Sequence, residues 1–131
     1  MTITLTDGTT PLTLPDDLDW SDEYTWQQVE QSAEYALTGA LVVEAATKQA
    51  GRPITLQGAD DRAWIARAAL DQLRAWATVP GQVLQLALRG STRDVVFRHQ
   101  DTAIDNVEQI LFYSDPQAGT WYRCTLRFME V

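Results

Sequence analysis

Thr120-Trp121-Tyr122-Arg123-Cys124-Thr125-Leu126-Arg127-Phe128-Met129 is the stretch whose reading decides the fold. Tyr122, Cys124, Leu126 and Phe128 fall on one side of an extended chain, with Arg123, Thr125 and Arg127 on the other. That period of two is the pattern of a strand with one buried face, and so apolar an inward set requires an opposing layer. Working back along the chain, residues 104–113 predict another strand, although Val107 to Leu111 also fit a helical turn. Val83 to Leu88 and Val95 to Arg98 flank Arg89-Gly90-Ser91-Thr92, a hairpin signal. At the other end, Ile3, Leu5, Leu12 and Leu14 alternate with threonines around Asp7-Gly8, whose residue types supply the positive φ of a tight turn. Pro15 stops that strand. Tyr24 to Ala46 reads as extended with Gly39 as a break or bulge, and Arg52 to Leu56 as a short strand with Pro53 at its start or on an edge.

One segment departs from the β pattern. From about Asp61 to Thr78 the spacing predicts a helix, with Asp60 as N-cap and Asp61 in the first turn. Ile65, Ala69, Leu73 and Trp76 share one face, with Leu70 beside them. Arg67, Asp71 and Arg74 lie opposite, at pairing distance, and Pro80-Gly81 turns the chain. A helix over 61–78 would be a rod of roughly 27 Å. With no internal repeat or Gly/Ser linker, the expectation is a single domain over residues 1–131 of class α+β. Its architecture is a β-sandwich or split β-barrel with one packed helix.

Composition supports a folded domain. Of the 131 residues, 45% are hydrophobic and 21% charged, and five are tryptophan, which excludes a disordered tail. A chain of this size buries roughly two-thirds of its unfolded surface without staples. No apolar run approaches the ~20 residues that span a bilayer, so no membrane contact is expected. Met1 to Thr6 lack a basic region followed by an apolar one, so no secretory signal is expected. The single cysteine cannot form an internal disulfide.

The charge is unevenly placed. Formal net charge is −8, yet residues 1–47 hold no Lys or Arg and carry nine carboxylates. The rest of the chain holds ten basic and nine acidic groups. An acidic first third repels phosphates, which argues against specific nucleic-acid binding. It suits like subunits meeting acidic face to basic face, or simple solubility.

The residues identify no chemistry, and no enzyme activity, cofactor or metal is expected. His99 is the only histidine and lies at a strand end, and no serine sits in a G-x-S-x-G elbow. Cys124 belongs to the inward set of the last strand and reads as packing. The run Asp16 to Glu23 has the carboxylates for Ca²⁺, but counted from Asp17 the required Gly and Glu positions hold Asp22 and Gln28. One His and one Cys cannot make the usual zinc site. Gly51-Arg52-Pro53 is no phosphate loop.

Contact surfaces are the remaining candidates. Trp20 sits in the acidic loop, Trp64 at the edge of the helix stripe, and Trp121 alternates with Tyr122. Tryptophan is enriched in interface hot spots, though these rings could equally close the ends of a small core. Asp16, Asp17, Asp19, Asp22 and Glu23 form the acidic candidate surface, and Arg67, Arg89, Arg93, Arg98, Arg123 and Arg127 the basic one.

Leu37-Thr38-Gly39-Ala40-Leu41, Gly51 to Leu56, the helix with Trp64, Val95 to His99 and the closing Tyr122 to Val131 together carry a family likeness. On these residues the chain resembles small tail proteins of long-tailed, non-contractile phages, of the distal-tail and minor-tail (tail-tip, baseplate) type. The resemblance implies a tail-tube-like sandwich or split barrel with one flanking helix. It also implies a non-enzymatic subunit that forms a ring, a hexamer or trimer of itself, joining tail tube to tip around a channel for DNA. Neighbouring tail proteins would be its other partners. Its place would be the virion, after assembly in the host cytoplasm. The alternative expectation is a monomeric adaptor that grips another protein or a cation through residues 16–26.

Overall fold

The computed structural model describes residues 2–131. In chain order the strands are β1 (Ile3–Thr6), β2 (Pro11–Leu14), β3 (Asp19–Trp20), β4 (Val29–Tyr35), β5 (Leu41–Thr47), β6 (Pro53–Gln57) and β7 (Ile65–Ala66). The helix α1 (Arg67–Ala77) follows, then β8 (Leu84–Leu88), β9 (Ser91–Phe97), β10 (Ile104–Gln109) and β11 (Trp121–Glu130). The class is α+β, as the periodicities predict.

Strand β11 is the hub. Tyr122 pairs with Gln109 of β10 and with Ile65 of β7, and Phe128 pairs with Phe97 of β9 and with Ile54 of β6. One edge of β11 therefore holds β10 and β9 in succession, and the other holds β7 and β6. The remaining strands extend this sheet in the order β2-β1-β8-β9-β11-β6-β3. Its ends, β2 and β3, do not pair. The sheets are open and sandwich-like rather than closed into a barrel.

The inward set of β11 is the core's centre. Cys124, Leu126 and Phe128 are buried with Ile54, Leu56, Leu84, Leu86 and Leu5, and the Phe97 and Phe128 rings lie 5.1 Å apart. Helix α1 covers this layer with Leu73 and Trp76, while Ala69, Leu70 and Ala77 pack at its margin. The outward set is not bare. Thr125 is itself buried, under the Asn106 amide and beside a row of arginine–carboxylate pairs. The expected polar face is covered by side chains rather than by water.

The helix is shorter than its pattern. It begins at Arg67, and residues 61–66 are not helical. Asp60 is not its cap: Ala66 precedes the first turn in an extended conformation without any side-chain cap. Three interactions, two of them with residues remote in sequence, outweigh helical propensity there. Ala63 takes a left-handed φ of 57°, with its N–H donated to the Asp17 carboxylate at 3.0 Å. Trp64 donates its indole N–H to the Asp60 carbonyl. Ile65 and Ala66 form β7 on the first residues of β11. The helix N-terminus is then capped from outside, Arg67 and Ala68 donating their N–H groups to the carbonyls of Thr120 and Ala118. The expected Arg67–Asp71 pair is present at 4.0 Å.

The turns follow their chemistry. Asp7 accepts N–H bonds from Thr9 and Thr10, which hold its carboxyl below the usual range, and Arg89-Gly90 link β8 and β9 with positive φ at both positions. Strand β9 starts at Ser91, earlier than the apolar run suggests. The reading of residues 104–113 as strand holds to Gln109, with a bulge at Asn106 (φ 53°), and Ile110 onward is irregular. Pro53 opens β6 as expected, but inside the sheet rather than at its edge.

Residues 24–46 resolve into three parts. Tyr24 to Gln28 is turn and irregular chain rather than strand. β4 and β5 then form a hairpin, and Gly39, with φ 87°, is the turn that reverses the chain, donating to the Ala36 carbonyl at 2.9 Å. Among the described residues this two-stranded ribbon pairs with no other strand.

Candidate interaction surfaces

The ribbon is the most unusual part of the molecule. Every residue from Val29 to Thr47 is exposed. Its register sets Val29 opposite Thr47, Gln31 opposite Ala45, Ala33 opposite Val43 and Tyr35 opposite Leu41. Directly opposed residues share a face. One face of the arm is therefore uncharged and largely apolar, ending in the Tyr35–Leu41 pair. The other carries Glu30, Glu34 and Glu44 together with Ser32, Val42 and Ala46. Two strands alone are marginal in water, where no layer covers their apolar side. At seven residues per strand the arm is about 23 Å long.

The arm's root is held by cations over tryptophan rings. Lys48 lies 5.3 Å and Arg52 5.8 Å from the Trp26 ring centroid, and Lys48 donates to the Gln27 carbonyl at 2.8 Å. Arg52 also lies 4.8 Å from the centroid of Trp20 and donates to the Glu23 carbonyl. The root thereby continues into the body, where Gly51 and Arg52 exchange backbone hydrogen bonds with Glu130.

Trp20 is buried rather than displayed, 5% exposed, with Arg52, Arg89 and Arg93 all within cation–π range of its ring. The carboxylates around it are engaged within the same chain. Glu23 pairs with Arg89, and Asp22 accepts from the Thr55 N–H and hydroxyl while facing buried Arg98 at 3.9 Å. Asp17 holds Ala63, and Asp19 lies 3.9 Å from Arg62. Asp16 is exposed. Among the basic candidates, Arg93 pairs with Glu130, Arg98 with Asp101, Arg123 with Asp60 and Glu108, and Arg127 with Asp105. The Arg127 guanidinium and the Asn106 N–H hold the Asp105 carboxyl below its usual range. The acidic-to-basic pairing that the charge layout suggested between subunits is, for these groups, already made inside one chain.

Trp64 and Trp121 are exposed neighbours, their ring centroids 6.5 Å apart. With Ile110, Leu111 and Tyr113 they line a groove of about 480 Å³. A second groove, of about 660 Å³, lies between α1 and β10, where Arg67 donates to the Tyr122 hydroxyl at 2.7 Å. His99 borders it, exposed, at a single 3₁₀ turn. Among the described residues, no three His, Cys, Asp or Glu side chains gather as a metal site. None of the described helices is long and apolar enough to cross a membrane.

Cys124 is buried, and burial pushes its thiol up to about 11. The folded chain should resist a thiol-specific reagent near neutral pH and take up one equivalent on denaturation. Rapid labelling of the native chain would contradict this packing.

Sequence reasoning located the arm's strands but not its isolation. The signal was present in the alternation, which gives the arm an apolar face without indicating whether its own chain covers it. Neither a protein-family model nor any curated protein matches the chain.

Proposed function

We propose that this chain is a non-enzymatic structural subunit of a phage tail tip, one that associates with copies of itself into a ring between tail tube and tip. Within that reading the ring is hexameric or trimeric, encloses a channel for DNA, contacts neighbouring tail proteins, and is assembled in the host cytoplasm before residing in the virion. The observation that carries the reading is the arm, a ribbon with one apolar face that no part of its own chain covers. Such a face is a protein-contact surface in need of a partner. The α+β sandwich-like body with a single helix agrees with the architecture that the family likeness implies. Residues 16–26 favour the adaptor alternative less, because Trp20 is buried and Asp17, Asp22 and Glu23 are engaged in the body.

Native mass spectrometry at rising protein concentration, with negative-stain microscopy of the product, tests this. Closed rings of one size are expected. They should persist in moderate salt, because the contact rests mainly on apolar area and charge is the smaller contribution. A chain that remains monomeric at its solubility limit would overturn the proposal.

A further inference from the structure

Resting on that reading, we infer that the arm's acceptor is the groove between α1 and β10 on a second copy of this chain. Two grooves are open to an apolar ribbon, and charge separates them. The arm carries three glutamates and no basic residue, and with Glu30 paired to Lys48 at its root at 3.6 Å, Glu34 and Glu44 set its charge. The Trp64–Trp121 groove has the carboxylate Asp115 and no basic side chain in its lining, so it meets the arm with like charge. The α1–β10 groove offers Leu70, Ala77, Ile104 and Val107 as an apolar floor, with Arg67 and Arg74 on its helix side against the single carboxylate Asp71. Arg67 is already shared between Asp71 and the Tyr122 hydroxyl. Arg74 forms no ion pair among the described residues. It is a cation left over beside an apolar floor, and the arm is an acidic ribbon with an apolar underside.

The contact is not made within one chain. Every residue of the arm is exposed, so a chain does not fill its own groove. The contact is heterologous, arm of one copy to groove of the next, and such contacts close into rings when the rotation permits. Each copy then gives one arm and receives one. The apolar face enters the groove, and the arm's net negative charge, carried on its outer face, complements Arg74 on the helix side.

Cysteine crosslinking tests this directly, since native Cys124 is buried and its thiol is held protonated. Two single variants, Leu37→Cys at the arm's turn and Val107→Cys on the groove floor, are mixed in equal amounts and treated with a short bis-maleimide. The expected product is a 37-to-107 linked dimer in the mixture. A second measurement reads Arg74→Glu by native mass spectrometry. That change should weaken association at least tenfold, and an arm carrying Glu30→Lys, Glu34→Lys and Glu44→Lys should restore it. If wild-type rings form while crosslinks fall elsewhere and Arg74→Glu assembles normally, the acceptor is wrong and the ring reading stands. If no oligomer forms under any condition, both fall.

Discussion

Truncating Tyr35 and Leu41 together to alanine is expected to leave the melting temperature of the chain unchanged while weakening self-association by about two orders of magnitude. The two side chains form the outermost cross-strand pair on the arm's apolar face, and neither is buried in its own chain. Burying a large apolar side chain contributes about 1.5–3 kcal/mol. Losing both contacts removes roughly 3 kcal/mol or more, which is a factor of about 100 in a dissociation constant. The separation of the two readouts is the point of the experiment. A core residue would shift both, and an idle surface residue neither. Sedimentation velocity over a concentration series, alongside calorimetry, measures them. A large fall in melting temperature would mean that the arm packs on its own body in solution, and unchanged association would remove it from the interface.

The second large effect is expected at Trp20. Replacing it with alanine should destabilise the fold by about 3–5 kcal/mol, the usual range for a buried aromatic. For a domain of this size the melting temperature should drop by roughly 10–20 °C. The ring is the surface on which Arg52, Arg89 and Arg93 stack, and Arg52 also reaches Trp26 at the arm's root. Its loss leaves three guanidinium groups around a void. Thermal unfolding by circular dichroism reads the effect. The outcome also separates two roles for this residue. An adaptor whose Trp20 grips a partner would keep its melting temperature on this change and lose only affinity.

The difference between what was legible and what was not is physical. Strand β11 was readable because its alternation is strict and its inward residues, Tyr122, Cys124, Leu126 and Phe128, are all apolar in body, so one register alone buries them. The hairpin at Arg89-Gly90 was readable because its residue types tolerate positive φ. The start of the helix was not. Ile65 fits a helical stripe as well as it fits β7, and only the arrival of β11 beside it, remote in sequence, decides between them. Asp60 looked like a cap because its chemistry suits one, yet Arg123 holds its carboxylate and the carbonyls of residues 118 and 120 serve the helix instead. For the surfaces, charge counting found the arginines and carboxylates but not their distances. Most of those groups neutralise one another within the chain, a fact of tertiary geometry. The arm's isolation is likewise invisible to periodicity, since an apolar face reads the same whether its own chain or another covers it.

The separation between arm and body has an evolutionary consequence. The core residues of β6, β8, β9 and β11 constrain one another, so change there must be compensated within the chain. Val29 to Thr47 face no such internal veto. In the proposed ring, substitutions in the ribbon would be judged only by the surface that receives it, so arm and acceptor would drift together while the body stays fixed. Grafting the ribbon of one such chain onto the Lys48–Arg52 root of another would then exchange the choice of neighbour without redesigning the fold.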